Sequence, residues 1–77
     1  MADKLTQVLA TVLELSPEEI RDDLTPKDVQ VWDSFTHVML MTNLEEAFGI
    51  TIDPSEATKV SSVGNIRSML RRRGIEV

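Results

Sequence analysis

Asp33, Ser34 and His37 fall within five consecutive positions and offer an acid, an alcohol and a base. Three chemistries fit such a cluster. A nucleophilic serine is the first, since His37 stands at i+3 from Ser34 and can approach its hydroxyl if the stretch is helical. However, Asp33 directly precedes the serine and cannot easily stand behind the imidazole to orient it. The Gly-x-Ser-x-Gly elbow is also missing. Self-contained hydrolysis is therefore disfavoured. The second reading is structural: Ser34, or Asp33 with Ser34 spare, caps the helix that follows. In the third, Ser34 is a point of covalent attachment. A phosphodiester formed at a helix mouth rests against unpaired backbone N–H groups and the positive end of the helix dipole. Asp33 would then help hold a divalent metal while another enzyme did the chemistry.

All three readings need a helix that starts at this point. The spacing predicts one from Asp33 or Ser34 to Phe48, with Gly49 supplying a left-handed stop. Before it, Leu5, Val8, Leu9, Val12 and Leu13 form a one-sided apolar stripe, a first helix stopped by Pro17. Ser16-Pro17-Glu18-Glu19 resembles a capping box that opens a short helical turn. Arg21 to Asp33 reads as a long polar connection anchored by Leu24, Val29 and Trp32. Asp53-Pro54-Ser55-Glu56 opens a short third helix ending near Val60, with the aspartate as cap. Ser61 or Ser62 caps a fourth, apolar at Val63, Ile66, Met69 and Leu70 and ended by Gly74. No stretch alternates convincingly as a strand. The expectation is an all-α fold: a small four-helix bundle of three main helices plus a short third one, in a single domain over residues 1–77.

Seventy-seven residues bound the function further. A chain of this size buries about 60% of its unfolded surface, which leaves little room for an enclosed active site. There is no cysteine, so disulfides, zinc–thiolate sites and cysteine nucleophiles are excluded. The longest strictly apolar run is Val38 to Met41, far short of a membrane span, and the N-terminal stretch lacks a signal-peptide core. A cytoplasmic protein is expected, monomeric and without a membrane anchor. The net charge of −5 is uneven: residues 1–56 carry 12 acidic and 3 basic side chains, residues 57–77 carry 1 and 5. The acidic body argues against nucleic acid and for a basic protein partner. The loop does not form a calcium hand. Counted from Asp22, Lys27 takes the glycine position and Asp33 the glutamate position. No metal site is expected. Arg71-Arg72-Arg73 is read as charge that suits the end of the fourth helix.

On a helical wheel the second helix has two apolar sides. His37, Leu40, Met41, Leu44, Ala47 and Phe48 share one side. Phe35, Val38, Met39, Thr42 and Glu46 share the opposite one. The helix is either buried all round or presents its second stripe as a docking surface. Methionine suits a surface that repacks against several partners. Glu45 and Glu46 oppose the dipole in the last turn, which fits an outside partner bearing Arg or Lys. His37 lies on the core side, as a packed or half-buried residue or in contact with a bound phosphate.

The run Trp32-Asp33-Ser34-Phe35, then Leu40 and Leu44-Glu45-Glu46-Ala47-Phe48-Gly49-Ile50, resembles the acyl carrier protein family. That family carries an Asp-Ser-Leu motif at the head of its second helix and a Leu-Glu-Glu-x-Phe ending. The likeness extends over nearly the whole chain. It implies that Ser34 bears 4'-phosphopantetheine, with Asp33 as helper, and that the protein delivers cargo without catalysing anything. It implies partners too: a phosphopantetheinyl transferase, an acyl- or aminoacyl-loading ligase and downstream synthase enzymes. Their docking surface maps onto Asp33, Phe35, Val38, Met39, Thr42, Glu45 and Glu46. Phe35 replaces the usual leucine, Thr36 a common glycine or aspartate, and Met39 a glutamate frequent in fatty-acid carriers. These differences argue against the housekeeping fatty-acid carrier, and Trp32-Asp33-Ser34 with the nearby His37 resembles stand-alone carriers of polyketide, nonribosomal peptide or surface-polymer synthesis. The alternative is an unmodified helical adaptor that binds a basic partner through the same stripe.

Overall fold

The computed structural model describes residues 3–77. Four α-helices follow one another: α1 (Lys4–Leu13), α2 (Ser34–Phe48), α3 (Pro54–Lys59) and α4 (Val63–Arg72), with a 3-10 turn at Pro17–Glu19. No strand occurs among the described residues, and no helix there is long and apolar enough to cross a membrane. This is the small all-helical bundle expected from the sequence.

The core is assembled from one stripe of each long helix. Leu5, Leu9 and Leu13 of α1 meet Leu40 and Leu44 of α2 and Val63, Ile66, Met69 and Leu70 of α4. Each of these side chains is buried, and each such burial contributes about 1.5–3 kcal/mol of apolar transfer energy. The long connection adds Leu24, Val29 and Trp32, so it is a wall of the core despite its polar composition.

Two helix ends differ from expectation. α1 stops at Leu13, before Pro17 can act. Glu14 turns left-handed (φ 58°), its amide bonds Ala10 O, and the Leu15 amide bonds the same carbonyl at 3.0 Å. The reversal brings Leu15 back against the core, and that contact offsets the cost of a positive φ at a residue with a side chain. In α3, Asp53 occupies the cap position, but its side chain makes no capping bond. Pro54 supplies the helical φ, and Glu56 pairs with Arg73 of α4 instead of closing a capping box.

The connection is fastened to the start of α4. A helix leaves its first amides without internal partners. Here the Val63 amide donates to Leu24 O at 3.0 Å and the Gly64 amide to Asp22 O at 2.8 Å. Ser62 Oγ accepts from Asn65 N at 3.1 Å and completes the turn. Arg67 reinforces the junction, with Nε 3.0 Å from Asp22 Oδ1 and Nη1 3.7 Å from Asp3. The close approach suits a glycine, because a Cβ at position 64 would lie 3.0 Å from Asp22 O and that backbone would have to give by a few tenths of an ångström. Overpacking usually costs about 1–3 kcal/mol, against up to about 1 kcal/mol from alanine's better helix propensity, so Gly64→Ala should be net destabilising. Urea denaturation would reveal this as a lower midpoint; an unchanged midpoint would mean that the loop yields freely.

Candidate functional site

The mouth of α2 is built by Asp33. Its backbone is extended (φ −104°, ψ −172°), and its Oδ1 accepts from Thr36 N at 2.9 Å. The His37 amide donates to Asp33 O at 2.8 Å. With the cap position taken, Ser34 becomes the first helical residue. It is exposed, and its hydroxyl has no hydrogen bond among those of the described residues. The reading in which Ser34 itself caps the helix is thereby removed.

The amides at this mouth are treated differently from those of α4. Loop carbonyls occupy the first amides of α4, whereas among the described residues no protein group accepts from the Ser34 amide; the Phe35 amide faces the Asp33 carboxylate and helps to hold its pKa down. An open donor at the positive end of a fifteen-residue helix lies beside an exposed hydroxyl. That arrangement accepts an anion readily, a phosphate diester included.

The nucleophile reading has no geometry to support it. No hydrogen bond joins Ser34 to His37. His37 Nδ1 lies 3.0 Å from Trp32 Nε1, and its Nε2 lies 2.8 Å from Ala57 O. Both ring nitrogens are committed within the fold. This occupation also takes away the contact between His37 and a bound phosphate that the sequence left open.

α2 sorts its two stripes as the wheel divides them. Leu40, Met41 and Leu44 are buried, while His37, Ala47 and Phe48 are half-buried. On the far side Phe35 is 72% exposed, Val38 64% and Met39 39%. Thr42 and Glu46 are exposed beside them, and Thr42 Oγ1 donates back to Val38 O at 3.1 Å. The helix is not buried all round. Thr36, which takes a motif place often held by glycine or aspartate, is buried at 8% exposure. One position departs from expectation. Glu45 is half-buried, and its Oε2 accepts from Ile52 N at 2.7 Å. Its carboxylate closes the bend between α2 and α3, so the internal bond accounts for a charge that the dipole disfavours. Glu46 carries no such bond and remains on the outer face.

Beside Ser34 an open groove of about 510 Å³ runs between the connection and the end of α3. Pro26 and Trp32 form one wall, Thr58 and Val60 the other, with His37 between them. No group of three His, Cys, Asp or Glu side chains that could hold a metal occurs among the described residues.

The Thr36 backbone N–H, the largest influence on Asp33, holds its carboxyl below the ordinary value of 3.8. The folded value is depressed, so the ionised cap is at full strength above 3.8 and is lost as pH falls through the lower folded value. An NMR titration of the Asp33 carboxyl should have its midpoint below 3.8, and Asp33→Asn should remove this part of the acid response. A midpoint at or above 3.8 would mean that the cap bond does not persist in solution.

Comparison with known proteins agrees with this geometry. The family described as "Phosphopantetheine attachment site" matches residues 3–72. An acyl carrier protein of Wolinella succinogenes is 33% identical over 64 residues, covering 83% of this chain and 84% of that protein. The family's members are carriers, not catalysts, and their prosthetic group is phosphopantetheine. With the motif helix, the family match and the relative in agreement, the chain belongs to the acyl carrier protein family.

Proposed function

We propose that Ser34 is the residue that carries 4'-phosphopantetheine, and that the protein presents acyl or aminoacyl cargo to partner enzymes of a specialised pathway. The observation that carries the reading is the exposed, unbonded Ser34 hydroxyl beside its own unpaired amide at the mouth of α2. In the loading step a transferase brings coenzyme A and a divalent metal. The serine oxygen bonds to the phosphorus that bears pantetheine, the adenosine bisphosphate portion leaves, and the serine proton passes to a base outside this chain. The group supplies a thiol on a flexible arm, where cargo is held as a thioester.

The chain's own residues orient and recognise. Asp33 holds the helix mouth and stays ionised, ready to share a metal with the transferase. The open amide of Ser34 stabilises the phosphodiester charge. Phe35, Val38, Met39 and Thr42 offer an apolar face with Glu46 at one end and Asp33 at the other. Such a face fits a partner with an apolar patch rimmed by Arg or Lys. Met39 in place of an acid, and the inward turn of Glu45, make it less acidic than the sequence suggests. A less acidic docking face supports a stand-alone carrier of polyketide, nonribosomal peptide or surface-polymer synthesis over a housekeeping fatty-acid carrier. The setting is cytoplasmic and the protein acts as a monomer, with a loading ligase and downstream synthases as further partners. The tether raises the effective concentration of cargo at each of them.

Intact-mass spectrometry tests the assignment. Incubation with coenzyme A, magnesium and a broad-range transferase should add one phosphopantetheine to the wild type and none to Ser34→Ala. A wild type that gains no mass would favour the unmodified adaptor. Glu46→Lys should slow coupling by roughly tenfold, in line with loss of one charge contact at an interface, without shifting the unfolding midpoint. Equal coupling rates would take Glu46 out of the docking face.

A further inference from the structure

Trp32 and His37 stack beside the serine, with ring centroids 6.2 Å apart and planes inclined by 18°. The indole Nε1 is 3.0 Å from His37 Nδ1, and His37 Nε2 is 2.8 Å from Ala57 O. An indole N–H can only donate, and a carbonyl can only accept. Nδ1 must therefore be bare and Nε2 must carry the proton. Of the three states open to an imidazole, the neutral Nε2–H form alone satisfies both neighbours. His37 thus receives from the connection and donates to α3.

The elements it joins need joining. α3 has no fully buried side chain between Pro54 and Lys59, so its apolar grip on the bundle is slight. The Nε2–H bond to Ala57, together with the Glu56–Arg73 pair, ties this short helix down. On the other side Trp32, only 3% exposed, stands two residues before Ser34 and sets the path by which the chain enters α2. His37 itself lies one turn beyond Ser34. One imidazole thereby fixes the chain before the serine, the helix after it and the opposite wall of the adjoining groove.

We propose that His37 is a positioning residue for the modification of Ser34. The proposal rests on the attachment reading of Ser34 given above. His37 touches neither the hydroxyl nor the incoming phosphate; it acts through Trp32 and Ala57. The outer stripe of α2 decides how well a transferase docks. The His37 clasp decides where the hydroxyl lies once the transferase is docked. Loss of the clasp should therefore appear in kcat and leave KM almost unchanged.

Two measurements on the full chain test this. In the unmodified protein, long-range ¹H–¹⁵N correlation of the imidazole should place the proton on Nε2, and the Trp32 indole N–H should exchange slowly with solvent. A proton on Nδ1, or a rapidly exchanging indole, overturns the clasp. In transferase assays with coenzyme A and magnesium, Trp32→Phe and His37→Phe should each lower kcat about tenfold, with KM within about twofold of wild type. His37→Gln, which keeps an acceptor and a donor, should recover most of the loss. Unchanged kcat, a loss confined to KM, or a Gln variant as slow as Phe overturns the positioning role. Should His37→Phe fail to fold by circular dichroism, Trp32→Phe with an unchanged unfolding midpoint decides the kinetic question, since it keeps an aromatic ring in the core while deleting the donor and part of the indole. A wild type that never gains mass removes the Ser34 assignment and this role together. A modified wild type with variants that match it removes the role alone.

Discussion

The bond from the Thr36 amide to the Asp33 carboxylate governs the site. It fixes where the helix begins, and with it what the next residue can do. A residue in the cap position spends its own oxygen on the helix. Asp33 takes that position and frees the hydroxyl behind it. Ser34 therefore has a helical backbone, an exposed side chain and an amide with no partner. The acid carries the structural task and the alcohol is left free. The two residues divide the labour, and neither alone would give a capped helix mouth with an unbonded hydroxyl in it.

The second constraint is the two-sidedness of α2. A helix in so small a protein normally hides its apolar residues on one side. α2 buries Leu40 and Leu44 and still exposes Phe35, Val38 and Met39. Water contact with these three gives the folded protein nothing. The core stripes of α1 and α4 supply the stability, and the surplus apolar face is available to another surface. The groove beside Ser34 opens on the same helix, so the exposed apolar face and the free hydroxyl share one rigid element.

Much of this was legible in the sequence, because it depends on neighbours in the chain. Asp33 and Gly49 mark the limits of α2, and helical periodicity separates its core stripe from its outer one. The four-helix order and the anchoring of the polar connection by Leu24, Val29 and Trp32 follow from local signals too. What escaped depends on residues far apart. Glu45 reads as a surface charge until the chain bends and brings Ile52 N to its oxygen. The Ala57 carbonyl reaches His37 across twenty positions. Glu56 suits a local cap, but Arg73 competes for it from α4. α1 ends at Glu14 because Leu15 gains a core contact that no local pattern announces. Sequence periodicity gives the faces; long-range polar pairing assigns the partners.

The ties between Asp22, Leu24 and the first turn of α4 reach further than the loop they hold. Arg67 and Asp22 are 45 positions apart, and the amides of Val63 and Gly64 are nearly as distant from the carbonyls they meet. The approach to the serine is thus moulded by the last quarter of the chain. A ribosome that has finished α2 has not yet finished the mouth of α2. Until α4 emerges and supplies its amides, the segment that leads into Asp33 lacks these ties, so the mouth of α2 is completed late in the birth of the molecule.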